Sequence, residues 1–338
     1  MRQIWIPKIG EPEVLELREA HDPTAGPGEI RISVKASGVN FADILARQGL
    51  YPDAPKLPTV VGYEVAGVVD QVGAGVGHFK VGDEVGSLTR FGGYSDYVVV
   101  HEFMAFSKPV NLSLEQTAAI PVNYLTAWLM LIHQANLKPR DKLLIHAVAG
   151  GVGQAAVQIG RWRQAEIFGT ASAGKHARLK EMGVDHCIDY HQQDFEVEIK
   201  KLTQKRGVDV VLDAVGGNSF KKSYRCLAPM GRLIMFGISS FSTGRKRDLF
   251  SAVKGLLSMP SFKPIPMLNK NRGVFGFNLG HLMGEILLLK ESLESILNLV
   301  SQGVFVPVVD RSFSFEQAAA AHAYIQAHKN FGKVLLVP

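Results

Sequence analysis

The stretch Leu143-Leu144-Ile145-His146-Ala147-Val148-Ala149-Gly150-Gly151-Val152-Gly153 decides the fold. A strand-length apolar run passes directly into glycines, and the helical pattern Gly151–Gln164 follows. Glycine lets a backbone come close to a pyrophosphate, and a helix N-terminus adds unpaired N–H donors and a favourable dipole. The spacing approaches the G-x-G-x-x-G pattern of dinucleotide sites. Val148 stands at its first glycine, while Gly150 and Gly153 occupy the other two. A degenerate match of this kind also fits a purely structural turn, so its surroundings have to carry the reading.

Those surroundings alternate. Strand patterns at Leu143–Val148, Ile167–Thr170, His186–Tyr190, Val208–Val215 and Arg232–Phe236 interleave with helical patterns at Gly151–Gln164, Lys175–Met182, Phe195–Thr203 and Ser219–Leu227. Near-continuous apolar strands alternating with helices predict a parallel sheet covered on both faces. Val274–Phe277 reads as one more strand and Glu285–Val300 as a helix. Upstream, the first 120 residues are β-rich. Strand patterns at Ile30–Val34, Val65–Val72 and Tyr97–Val100 are separated by Gly/Pro/Asp clusters, which predicts a partly closed, barrel-like β domain. Thr117–Gln134 is a long apolar helical stretch between the two patterns, and Val334–Val337 is a closing strand expected to rejoin the first domain. The fold class is α/β: a partly closed β-barrel domain and a doubly wound parallel sheet.

The end of the second strand chooses the cofactor. An NAD site places Asp or Glu about 20 residues past the glycines, on the ribose 2′-hydroxyl. Here the strand runs into Gly169-Thr170-Ala171-Ser172-Ala173-Gly174-Lys175-His176, with no acid. A carboxylate there would repel a 2′-phosphate, whereas a serine hydroxyl and a lysine ammonium would bind one. Ser172 and Lys175 therefore point to NADPH, and Tyr190 ends the next strand within reach. The alternative for Lys175 is the start of a solvated helix. Gly216-Gly217 and Gly237 close the fourth and fifth strands, where they would let a cofactor lie close to the backbone or simply form turns.

The bulk properties agree with this. At 338 residues, with 46% hydrophobic and 20% charged residues, the chain is sized for two well-filled domains rather than long disorder. A net charge of +6 suits an anionic ligand, and equally a scattered solvated surface. The only cysteines, Cys187 and Cys226, form no C-x-x-C pair, which excludes a disulfide framework and a cysteine-rich zinc site and suits a reducing cytoplasm. The opening residues lack the pattern of a signal peptide, and no apolar run reaches the ~18 residues of a membrane helix.

Further motifs extend over nearly the whole chain: Gly38-Val39-Asn40-Phe41-Ala42-Asp43, Gly62-Tyr63-Glu64-Val65-Ala66-Gly67, Val81-Gly82-Asp83, Gly92-Gly93-Tyr94-Ser95-Asp96-Tyr97 and Gly332-Lys333-Val334. With the glycine turn, they resemble the zinc-free quinone oxidoreductase branch of the medium-chain dehydrogenase/reductase superfamily. Asn40–Tyr51, Val122–Ala127, Gly169–Lys175, Ile188–His191 and Gly276–Gly280 are similar to its vesicle amine transport protein-like group. The resemblance implies a GroES-like catalytic domain over residues 1–122 and 275–338 and a Rossmann domain over residues 123–274. It also implies a cleft between them for nicotinamide and substrate, and homodimers; the cysteine usage points to a cytoplasmic location. Zinc-dependent relatives carry a cysteine at the position of Asn40 and a histidine at that of Tyr63. Neither type is present here, so no metal is expected.

The implied reaction is hydride transfer from NADPH to a quinone or an α,β-unsaturated carbonyl, with negative charge developing on the carbonyl oxygen. The resemblance assigns Asn40, Asp43 and Tyr51 to catalysis. Asn40 would donate its amide hydrogens, Tyr51 a hydrogen bond or proton with water as the alternative donor, and Asp43 would orient its neighbours. It assigns the backbone of Gly150, Gly151, Val152 and Gly153 to the pyrophosphate, and Thr126, Phe236, Phe277, Asn330 and Lys333 to the nicotinamide side. Leu45 replaces a tyrosine found in several quinone reductases, which weighs against quinone itself as the physiological substrate. The most individual stretch, residues 241–272, holds Arg245, Lys246, Arg247, Lys254, Lys263, Lys270 and Arg272, with Leu249, Val253, Leu256 and Leu257 on one helical face. It reads either as a helix packed on its own protein or as a basic flap toward substrate or an anionic membrane surface. A second overall reading is an NADPH-binding sensor or scaffold with little turnover. Nucleic-acid binding lacks any recognised motif.

Overall fold

The structure is a computed structural model that describes residues 1–242, 253 and 255–338. Arg245, Lys246, Arg247, Asp248, Leu249 and Lys254 of the basic stretch lie outside the described residues. The described residues form two compact units, residues 1–123 with 282–338, and residues 124–242 with 253 and 255–281.

In the second unit, six parallel strands lie in the order His186–Asp189, Glu166–Ala171, Lys142–Ile145, Val208–Asp213, Leu227–Met235 and Gly273–Gly276. The chain winds outward from Lys142–Ile145 in one direction and then from Val208–Asp213 in the other. This is the doubly wound Rossmann order, with its switch point between those two strands. Every residue of Val208–Asp213 is buried. That is why this strand, apart from Asp209 and its closing Asp213, reads as a near-continuous apolar run instead of an alternation. Leu144, Phe168, Ile188, Ile199, Val211 and Leu233 form one core under helices on the sheet. The expected break after residue 274 falls inside Gly273–Gly276, the sheet's last strand, and the second unit runs on to His281.

The stretch expected as one helix over Thr117–Gln134 is three pieces. Ser113 and Gln116 form a capping box for Leu114–Ala118. Pro121 has no N–H to continue that helix and instead begins Pro121–Trp128. Leu129–Gln134 then widens into a π-helical segment. Apolarity alone does not distinguish these pieces, because Thr117–Leu131 is buried almost throughout.

The first unit contains the GroES-like sheet. Its long strand Glu29–Val39 buries Ile30, Ile32, Val34 and Ala36 in alternation with Arg31, Ser33 and Lys35. This is the period of a sheet with one face in a core. The buried face meets Val65, Val69, Val85, Val98 and Val100. Glu64–Val72 and Tyr97–His101 flank it antiparallel. The closing strand Lys333–Val337 also pairs antiparallel with Glu29–Val39, so the end of the chain does return to the first unit's sheet.

A buried ion pair ties that return. Lys333 and Glu64 are 2% and 0% exposed and bond directly through Lys333 Nζ and Glu64 Oε1. The same Glu64 oxygen accepts from Asn40 Nδ2 at 3.1 Å, and Glu64 Oε2 accepts from the Val122 N–H at 2.7 Å. A methyl group on Gly38 would overlap both Glu64 and Lys333, so the glycine makes room for the pair. Breaking a buried pair by deleting one member leaves the other charge uncompensated, at a cost of about 3–5 kcal/mol. Lys333→Met is therefore expected to lower stability by about that amount in urea unfolding. The double variant Glu64→Gln/Lys333→Met should regain most of it, and failure of the second change to compensate would show that the pair is not the tie.

Candidate functional site

The glycine turn has the form a phosphate needs. Gly150 occupies the N-cap of the helix Gly151–Trp162 in an extended conformation, and no side chain caps the helix. The first amides, those of Gly151, Val152 and Gly153, therefore keep the unpaired donors and dipole that suit a pyrophosphate. A Cβ at Gly153 would lie 2.5 Å from Val148 O and 2.7 Å from Ala147 O, so only glycine lets the helix start this close to the strand end. The Val148 side chain is fully buried, and a Cβ at Gly169 would stand 2.7 Å from its Cγ1. The glycine missing from the motif is thus offset by a glycine on the neighbouring strand.

Glu166–Ala171 ends in a turn without acids. Ser172 leads into the short helix Ala173–Lys175 and then His176–Glu181. His176 Nε2 lies 3.1 Å from Ala171 O and fixes that turn. Lys175 and Arg178 follow on it. The nearest acid on the adjoining strand, Asp189, is buried and accepts from the His191 N–H at 3.1 Å. Tyr190 lies just past that strand, exposed, with its ring 4.3 Å from that of His191. The turn therefore carries a hydroxyl and cations and no acid.

At the other half of the same sheet, Phe236 and Phe277 follow the strands Leu227–Met235 and Gly273–Gly276. The Phe236 N–H donates to Asp213 O at 3.1 Å, and the Phe277 N–H donates to Met235 O at 2.9 Å. Both phenylalanines therefore stand at carboxyl ends of strands, where ligands of open α/β sheets bind. Thr126 is buried on Pro121–Trp128. Val253, Leu256 and Leu257 are exposed by 53%, 62% and 82%, whereas Phe241 is buried and Phe262 packs against the core of the sheet.

In the first unit the sequence-assigned residues divide. Asn40, Asp43 and Lys333 come together with Glu64. Lys333 Nζ donates to Asn40 Oδ1 at 2.7 Å, and Asn40 Nδ2 donates to Glu64 Oε1 and, at 3.3 Å, to Gly38 O. Both amide hydrogens expected to serve a substrate are thus already committed within the unit. Lys333, expected at the cofactor, likewise has its charge directed at Glu64 and Asn40. The Asn330 amide turns back onto Gly332 O at 3.1 Å. Tyr51 is half-buried and edge-on to Tyr63 at 6.2 Å, and Tyr63 in turn meets Phe91 at 5.4 Å. Burial raises the Tyr63 phenol far above its ordinary value, so it stays protonated.

Asp43 is wholly buried. It accepts from the Asn40 N–H at 2.7 Å, the Gly62 N–H at 3.1 Å and the Tyr94 hydroxyl at 3.0 Å. The Asn40 contact completes a capping box on Phe41–Arg47, so Asp43 acts by holding the helix start and the neighbouring strand. Behind it, Tyr94 meets His322 Nε2 at 3.3 Å, and Arg47 reaches Gly10 O at 2.8 Å. This buried chain was not legible in the sequence. Arg47 and His322 sit in helices whose patterns predict only which face is inward, and nothing local marks a partner on another element.

The fold agrees with what the chain resembles. Residues 26–110 match the alcohol dehydrogenase GroES-like domain, and residues 182–336 match a zinc-binding dehydrogenase family. The chain is similar to the NADPH-complexed quinone oxidoreductase of Escherichia coli, at 30% identity and a TM-score of 0.88, with all of both chains covered. It is similar also to CurK enoyl reductase, at 30% identity and a TM-score of 0.86, over 99% of this chain and 98% of that one. The chain belongs to the medium-chain dehydrogenase/reductase superfamily, a family of oxidoreductases. Within it, its relatives include the human synaptic vesicle membrane protein VAT-1 homolog, 44% identical over 96% of this chain and 82% of the relative. Among the described residues, no cluster of three or more His, Cys, Asp or Glu side chains could hold a metal ion. No helix among them is long and apolar enough to cross a membrane.

Burial pushes the Asp43 carboxyl up from 3.8 to about 7, against the hydrogen bonds from Asn40, Tyr94 and Gly62 and the positive charge of Lys333. A carboxyl whose folded value lies above its unfolded one binds its proton more tightly when folded. Its contribution to stability is complete below about pH 4 and is lost as the pH rises through about 7. Wild type should therefore lose stability relative to Asp43→Asn between pH 4 and pH 7, on the order of a few kcal/mol. Parallel urea curves at several pH values measure this, and a constant difference between the two proteins would refute it.

Proposed function

We propose that the protein is an NADPH-dependent reductase that delivers hydride to a quinone or an α,β-unsaturated carbonyl compound without a metal. The observation that carries this is the pairing, within one sheet, of an uncapped helix N-terminus at Gly150–Gly153 with the acid-free turn Ser172–Lys175. The NADPH-complexed quinone oxidoreductase and the enoyl reductase among its structural relatives support the same choice.

Bound NADPH would supply the hydride. The amides of Gly151, Val152 and Gly153 would hold the pyrophosphate, Ser172 and Lys175 the 2′-phosphate with Tyr190 beside it, and Thr126, Phe236 and Phe277 the nicotinamide half. In the first unit, Tyr51 is the donor we assign to the substrate oxygen, where charge develops. A positioned donor of this kind contributes typically 10²–10³ in rate. Asn40 is better read as part of a fixed polar wall, because Lys333, Glu64 and Gly38 use its amide group. Asp43 and Lys333 act as positioning residues, and Asn330 forms part of the same returning segment.

Titration with NADPH and NADH, followed by nicotinamide fluorescence, tests the cofactor reading. NADPH should bind at least tenfold tighter, about 1.4 kcal/mol. Lys175→Ala should erase most of that preference while leaving NADH unchanged. Addition of an enone and a quinone should then drive NADPH oxidation. Binding without oxidation of NADPH would favour a sensor or scaffold, and binding of neither nucleotide would remove the reading altogether. Tyr51→Phe should lower kcat/KM roughly 10²-fold with NADPH affinity intact. An unchanged kcat/KM would take Tyr51 out of the chemistry.

A further inference from the structure

A second buried carboxylate lies where the sheet reverses its winding. Asp213 ends the strand Val208–Asp213, and His146 follows the adjacent strand Lys142–Ile145, its N–H donating to Leu212 O at 3.0 Å. Their side chains are 0% and 3% exposed. Asp213 Oδ2 accepts from Ser219 Oγ at 2.8 Å and Ser223 Oγ at 2.7 Å. Asp213 Oδ1 accepts from the N–H groups of Val215 at 2.8 Å and Gly216 at 3.4 Å. His146 Nε2 lies 3.0 Å from Ser223 Oγ, and Nδ1 lies 3.1 Å from Thr170 Oγ1.

The proton inventory fixes the directions. A carboxylate only accepts, so the single Ser223 hydroxyl proton points to Asp213, and His146 must donate through Nε2 to Ser223. Burial lowers the His146 pKa, which keeps the ring neutral. Its Nδ1 then accepts from the Thr170 hydroxyl. Phe195 packs edge-on against the ring at 4.5 Å. The result is a continuous chain from Thr170 on the second strand, through His146 and Ser223, to Asp213 and the turn beyond it.

That turn is what the chain controls. Gly216 and Gly217 have φ of +85° and +57°, values that favour glycine, and the Asp213 carboxylate holds the two amides leading into them. The turn in turn holds the next segment, with Phe236 N–H on Asp213 O at 3.1 Å, Ser239 N–H on Ala214 O at 2.9 Å and Ser240 N–H on Val215 O at 2.9 Å. These segments follow strands of the second mononucleotide-binding half of the sheet, the half that takes the portion of a dinucleotide opposite the adenosine. A hydrolytic role for the Ser223–His146–Asp213 set is unsupported, because Ser223 is 0% exposed and its proton faces the carboxylate.

We infer that Asp213 is a positioning residue for the nicotinamide half of the cofactor: its carboxylate, anchored through Ser223 and His146, sets the turn 214–217 and through it the segment that begins at Phe236. This rests on the nucleotide reading above. The experiment compares NADPH with adenosine 2′,5′-bisphosphate, which contains only the adenosine side, on the full chain by calorimetry. Circular dichroism checks that each variant folds. Asp213→Ala should weaken NADPH at least tenfold and leave the bisphosphate within twofold. Asp213→Asn should bind NADPH close to wild type, because its amide oxygen can stay on Val215 and Gly216 while the serine hydroxyls turn to accept its N–H groups. If Asp213→Ala does not fold, Val215→Pro decides. It deletes one of the held amides and leaves the His146–Ser223–Asp213 contacts in place, and it should produce the same selective loss. Equal weakening of both ligands, no weakening of either, or loss of NADPH binding in a folded Asp213→Asn would each overturn the inference. A wild-type protein that binds neither ligand would instead remove the nucleotide reading beneath it.

Discussion

A carboxylate taken out of water must be met by donors, and each unit of this protein is organised around one that is. In the first unit, Glu64 collects Lys333 from the closing strand, the Asn40 amide from the start of a helix and the Val122 N–H from the start of another. In the second, Asp213 collects two serine hydroxyls and two turn amides at the switch point of the sheet. Desolvating such a group costs several kcal/mol unless the donors are in place. The same demand that makes these sites expensive also makes them specific. Segments far apart in sequence are held in one arrangement because only that arrangement satisfies the charge.

This explains how polar chemistry is carried on an apolar scaffold. The six-stranded sheet is held by side chains such as Leu144, Phe168, Val211 and Leu233, which have no directional preference of their own. Direction enters at the carboxyl ends of the strands, where the uncapped helix at Gly150, the turn at Ser172 and the turn beyond Asp213 leave the core. In the first unit the valine and isoleucine faces of Glu29–Val39 and Glu64–Val72 play the same background part, and the polar residues gather where Asn40, Glu64 and Lys333 meet.

The committed state of Asn40 makes it part of a fixed polar wall in the first unit. An amide whose carbonyl accepts from Lys333 and whose hydrogens go to Glu64 and Gly38 is a rigid element. The phenol of Tyr51 belongs to a separate aromatic group with Tyr63 and Phe91, in which the neighbouring phenol of Tyr63 remains protonated. The buried positions of Asp43 and Lys333 assign them to holding this wall in place.

Much of this was legible in the sequence, for reasons of period and chain chemistry. Alternation in Ile30–Val34, near-continuous apolarity in Val208–Leu212 and the glycines after Leu143–Val148 report burial on one face, burial on two faces and a close backbone approach, which are local properties. The acid-free turn at Ser172–Lys175 is likewise a local charge statement. The division of Thr117–Gln134 into three helical pieces was hidden, because side chains buried on every face have no period that marks a break, and the sheet's claim on Gly273–Gly276 depends on hydrogen bonds to Leu227–Met235. The partners of Glu64, Asp43 and Asp213 could be decided only by tertiary structure. A buried charge is satisfied by whichever donors the fold brings within about 3 Å, and those donors lie on other strands and helices that no spacing along the chain connects.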